Sequence, residues 1–128
     1  MIQEEAVISL LLKASPSFKD KLEEHYKDWG EETSLYLVAG EFARHLVTSY
    51  EKGYTEEFPA VFELLEKLHL EGNEHVQEIA TIGFLESLQN VTLNAGLTPV
   101  IFDPYLQPET KKWWNKLNDF WSEKRDEK

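Results

Sequence analysis

The stretch from Gly72 to Leu93 carries apolar residues at helical spacing over almost its whole length. At about 100° per residue from Asn73, Val76, Ile79, Ala80, Gly83, Phe84, Leu88 and Val91 share one broad face. The remaining strip is narrow and wet: His75, Glu78, Glu86 and Gln89, with Ile82 intruding. A helix this apolar around its circumference is buried on most sides, so it is expected at the centre of the molecule. Gly83 in its middle costs about 1 kcal/mol relative to Ala, which implies close approach of another helix. Asn73 is placed to cap the helix, and Gly72 to close the preceding one as a left-handed C′ residue.

The same periodicity divides the rest of the chain. Ile2–Ala14 places Ala6, Val7, Leu10, Leu11 and Ala14 at helical spacing. Ser15 as N-cap and Pro16 at N1 open a second helix, with Phe18, Leu22, Tyr26 and Trp29 in one stripe, ended by Gly30. A third helix opens at Glu31-Glu32-Thr33-Ser34, carries Leu35, Val38, Ala39, Phe42, Leu46 and Tyr50, and ends at Gly53. A fourth starts at Thr55-Glu56-Glu57 with Phe58, Val61, Phe62, Leu65 and Leu68. Its Pro59 falls in the first turn, where proline does least harm. Gly96–Gln107, interrupted by Pro99 and Pro104, is not helical in pattern. It is apolar enough to be pinned onto the body as a loop. Pro108 begins a last helix in which Trp113, Trp114, Leu117, Phe120 and Trp121 form a stripe, followed by a charged, frayed tail from about Ser122.

These elements predict an all-α single domain spanning residues 1–128, with five to six antiparallel helices joined by short links. The arrangement is a bundle or a set of HEAT-like stacked hairpins. Unequal helix lengths and the lack of a recurring motif argue against a true repeat protein.

Composition narrows the function more than the fold. Thirteen Lys and Arg stand against 24 Asp and Glu, a net charge of −11. Residues 1–107 hold 7 basic and 19 acidic side chains, or −12; residues 108–128 hold 6 and 5, or +1. An acidic body argues against nucleic acid, whose phosphates call for clustered Lys and Arg, and it suits a cationic partner or simply solubility. The absence of cysteine excludes disulfides and thiolate chemistry and fits a reducing cytoplasm. No signal peptide, membrane anchor or spanning helix is read.

No catalytic constellation emerges. Glu66-x-x-His69 has the spacing of a carboxylate-bridged di-metal bundle, but such a centre needs a second copy and two further inward glutamates. Glu41 and His45, one turn apart, read as a surface ion pair. Glu71-Gly72-Asn73-Glu74-His75 lacks calcium-loop spacing. There is no phosphate loop, nucleophile elbow or His-Glu-x-x-His. The chain is expected to be no enzyme and to carry no cofactor or metal. The tryptophan stripe is read as core, with an interface as the alternative.

Two segments, Phe62–Asn90 and Tyr105–Trp121, resemble a group of small acidic helical bacterial proteins, mostly uncharacterised, some of them proposed as immunity proteins of polymorphic toxin systems. The group usually shows Gly where Gln107 stands. The resemblance implies a stoichiometric, non-enzymatic protein-binding module; the −12 body and the lack of a catalytic set point to a cationic target, such as a basic toxin. The alternatives are a structural homodimer or a metal-dependent helical-bundle enzyme. Monomer and homodimer both stay open. Candidate contacts are acids that neither capping nor core packing requires, Glu24, Asp28, Glu63, Glu66, Glu78 and Glu86, with Tyr36, Tyr54 or an apolar residue of the Pro99–Tyr105 loop as anchors.

Overall fold

The computed structural model describes residues 1–126, with side chains as far as Asp119. Seven α-helices are present among the described residues, rather than five or six: α1 Glu4–Ala14, α2 Lys19–Trp29, α3 Leu35–Glu51, α4 Phe58–Glu71, α5 Glu74–Glu78, α6 Glu86–Asn94 and α7 Pro108–Asp126. No strand is present among the described residues. Their one extended pairing is an isolated parallel bridge between Ile2 and Gly72. The side chains from Phe120 onward, Trp121 of the stripe among them, and residues 127 and 128 altogether, lie outside the described residues. The backbone of residues 122–126, expected as a frayed tail, continues α7.

The expected central helix exists as a rod with a change of winding inside it. Asn73 caps its start, its side-chain oxygen accepting from the Val76 amide at 2.8 Å. Residues Ile79–Leu85 between α5 and α6 form a π-helix, whose wider i→i+5 turns accommodate extra residues. Gly83 lies in it, and a Cβ there would stand 3.3 Å from the Ala39 Cβ and 3.5 Å from the Tyr36 ring. The close approach implied by that glycine is therefore made by α3. Gly72 is a correction. Its φ is −74°, extended rather than left-handed. It is a glycine for lack of room: a Cβ would meet the Leu68 carbonyl oxygen and the Val76 Cγ1 both at 2.5 Å. Gly30 and Gly53 do end their helices with positive φ, at 83° and 80°.

α3 packs mainly along the π-helix and α6, while α4 packs mainly against α7 and α1. The main partners are thus not the sequence neighbours that a stack of successive hairpins requires. Two aromatic clusters fill the space between. Phe18 meets Phe42 edge-on at 4.9 Å, and Phe42 meets Phe84 at 5.9 Å. Phe102, fully buried, sits among Phe58, Phe62 and Trp114 at 5.8–6.3 Å. Burying such a ring stabilises by about 1.5–3 kcal/mol. Phe102 belongs to the segment expected to be a loop. That segment is pinned, as its apolar content implies, but Pro99–Tyr105 winds as a 3-10 helix, whose short i→i+3 turns accommodate both prolines.

Two stripe positions, Trp29 and Trp113, and one wet-strip position, Gln89, also differ. Trp29 is 62% exposed, and its turn of α2 instead buries His25. Gln89 is buried and donates to the Trp114 carbonyl at 3.1 Å. Trp114 itself is core, while Trp113 is only partly covered.

Candidate functional site

The eight candidate contact residues fall on separate elements. Glu24 and Asp28 are exposed on α2, Glu63 is exposed on α4, and Tyr54 is 63% exposed between α3 and α4. Glu78 and Glu86 flank the π-helix of the rod. One pair among the eight is joined by a hydrogen bond: the half-buried Tyr36 donates its hydroxyl to Glu78 at 3.0 Å. On the same rod Ile82, 46% exposed, lies four residues from each of Glu78 and Glu86. His75, next to Tyr36, pairs with Glu4 at 3.0 Å.

Glu66 departs from the premise that named it. It is buried, and capping does require it. Its carboxylate accepts from the Glu109 amide at 3.0 Å, the Thr110 amide at 2.8 Å and the Thr110 hydroxyl at 2.8 Å. Those amides are free donors in the first turn of α7. Burial would raise the Glu66 carboxyl, but these hydrogen bonds, with His69 nearby, outweigh it and hold it below the usual carboxylate value. His69 is engaged as well. Its Nδ1 lies 2.8 Å from the Leu65 carbonyl, which can only accept, and its Nε2 lies 2.9 Å from the Thr81 hydroxyl. Burial pushes it below the ordinary histidine value, which fits a neutral ring donating from Nδ1 to Leu65; the Thr81 hydroxyl lies within reach of both Nε2 and the Gln77 carbonyl. The Glu66-x-x-His69 spacing thus serves helix attachment. No group of three or more metal-ligating side chains occurs among the described residues.

A cleft of about 380 Å³ lies between the start of α2, the second half of α3 and the chain entering α4. Its lining includes Ser17, Lys21, His45, Ser49, Lys52 and Tyr54. At one wall the Ser17 hydroxyl stands 2.8 Å from His45 Nε2 and 2.6 Å from Glu57 Oε1. The Ser15 hydroxyl donates to the same oxygen at 2.6 Å, and the Ser17 amide donates to Oε2 at 3.2 Å. Against burial, these hydrogen bonds and His45 hold the Glu57 carboxyl below its usual value. Burial and Lys21 push His45 below its own, against the pull of Glu57. His45 does not pair with Glu41, as its spacing suggested; Glu41 pairs with Arg44 at 3.1 Å.

Serine, histidine and a carboxylate in contact invite comparison with a nucleophile triad, but the order is wrong. In a triad the histidine lies between serine and acid and removes the serine proton. Here Ser17 lies in the middle. With its proton directed at Glu57, it can only accept from His45, so Nε2 carries hydrogen and cannot act as its base. The cluster clasps residues 15–17 to the start of α4. Sequence reading missed it because Ser15 looked like an ordinary N-cap and Glu57 an ordinary first-turn acid. Nothing local signals that residues some forty positions apart meet.

A family model described as Domain of unknown function (DUF7674) matches residues 8–122. No curated protein and no solved structure matches the chain.

Proposed function

The chain belongs to the DUF7674 family, and from that premise we propose that it is a stoichiometric protein-binding module for a cationic partner. The observation that carries this reading is the strip of the rod where the exposed Glu78 and Ile82 and the half-buried Glu86 follow one another at four-residue spacing, with the Tyr36 hydroxyl held against Glu78. It offers negative charge around one apolar anchor, on a body whose residues 1–107 carry −12. Interfaces draw affinity from a few buried anchors and draw association rate from charge. The strip supplies both. The finer reading, supported by the resemblance of Phe62–Asn90 and Tyr105–Trp121, is a bacterial cytoplasmic immunity protein that neutralises a basic toxin.

The test is binding to the protein encoded by the neighbouring gene, measured at low and high salt. Salt and the double reversal Glu78→Lys with Glu86→Lys each slow association, because both remove steering. Ile82→Ala mainly speeds dissociation. An association rate indifferent to salt and to both reversals would leave the acidity to solubility alone.

A further inference from the structure

The cleft beside Ser17 differs chemically from the acidic surface around it. Residues 1–107 contain only 7 basic side chains; Lys21 and Lys52 line this cleft together, whereas the cleft that gathers Lys13 and Lys67 has no hydroxyl in its lining. Thr48, Ser49 and Tyr54 add hydroxyls to its wall. Two acids line it too. Glu57 stays an anion, but both its oxygens already accept from Ser15 and Ser17, and Glu56 is exposed. The two acids balance the lysines in number, so an anion must seat between the lysines, away from that wall. At about 380 Å³ the cleft is the size of a small-molecule site rather than of a macromolecular groove.

We propose that the cleft binds the phosphate group of a small phosphate monoester between Lys21 and Lys52, with the hydroxyls of Thr48, Ser49 and Tyr54 as further donors. Lysine is a compact point charge with three rotatable donors, suited to a tetrahedral oxyanion. No arginine lines the cleft to offer the planar fork that favours a carboxylate. Glu57 matters by what it occupies. Because it takes the Ser17 proton, that wall is occupied before any ligand arrives, while Lys21 on α2 and Lys52, just after α3, line the same space. This inference does not depend on the partner-binding strip, which uses other residues.

Inorganic phosphate, and then glycerol 3-phosphate, are titrated into isotopically labelled protein in dilute chloride buffer, with backbone amide shifts as readout. Saturable shifts in the millimolar range at Ser49, Lys52 and Tyr54 are expected. Glycerol 3-phosphate should bind at least as tightly as phosphate. The double variant Lys21→Ala with Lys52→Ala removes two exposed side chains and should melt as the parent does. It should bind phosphate at least about tenfold more weakly, the effect of one lost charge-assisted hydrogen bond. Shifts that rise linearly and spread over the surface would overturn the proposal, as would equal binding by the double variant. Acetate giving the same saturable shifts at the same concentrations would overturn the phosphate assignment.

Discussion

Single residues decide much here by what their atoms exclude or accept. Gly72 has an ordinary φ, yet a Cβ would overlap the Leu68 carbonyl oxygen and the Val76 side chain. One of those atoms is backbone and cannot move cheaply. Gly72→Ala should therefore lower stability by about 1–3 kcal/mol, the usual cost of overpacking. Gly83→Ala adds contacts at 3.3–3.5 Å, and about 1 kcal/mol of helix propensity offsets them. Urea titration should rank Gly72→Ala clearly below Gly83→Ala, and equal midpoints would refute the steric account of Gly72. Glu66→Gln retains the shape but not the charge of the cap on α7, and should cost on the order of 1–3 kcal/mol by thermal melting. The sequence did hold a clue to that cap. Gln107 precedes Pro108 where a capping Ser, Thr, Asp or Asn would stand, so the first amides of α7 needed an acceptor from elsewhere. Which acid would supply it, 43 residues away, no local pattern could say.

At the scale of elements, helix positions and most core faces were legible because hydrophobic spacing is a local signal. The rod shows where that signal fails. A wheel at about 100° per residue is valid for an α-helix, but each residue of a π-helix advances less. Over Ile79–Leu85 the lag accumulates, so the buried face beyond it extends past its expected edge. Gln89, assigned to the wet strip, is buried for this reason, and so are Leu85 and Thr92. Val76 ahead of the π-helix, Ile79 at its start, Ala80 and Phe84 within it and Leu88 beyond it are buried as expected, so the change of winding widens the buried face rather than replacing it. α4 shows a second element-scale feature. Glu57 at its start and Glu66 near its end each hold the first turn of a different helical segment, both of which begin with proline. Nine residues of helix separate them by about 13 Å, beyond the range at which substitutions usually couple. The destabilisations of Glu57→Gln and Glu66→Gln should thus add in the double variant, within about 0.5 kcal/mol. A clearly smaller sum would mean that the two attachments share one cooperative element.

The whole molecule inherits a direction of pH dependence from these sites. His45 and His69 lie below their ordinary 6.5 in the folded chain. Below that value the unfolded chain therefore binds more protons, and stability falls with pH. Glu57 and Glu66 lie below their ordinary 4.5, so their contribution is complete above that value and is lost as pH falls through the folded one. Melting temperature should decline from about pH 6.5 downward and again through the carboxylate range. In Glu66→Gln the second decline should be shallower; an unchanged acid limb would deny Glu66 its part. Finally, the small bridge at Gly72 bears on the order in which the chain assembles. Ile2 donates to the Glu71 carbonyl at 2.7 Å and accepts from the Asn73 amide at 2.9 Å, which closes a loop around α1 to α4. Helices form from local contacts, whereas a closure this long is entropically dear and comes late. Ile2→Pro, which deletes the donor, should therefore raise the unfolding rate and leave the refolding rate alone. In stopped-flow kinetics the unfolding limb moves and the refolding limb superimposes; a slowed refolding limb would instead put the N-terminal residues in the folding nucleus.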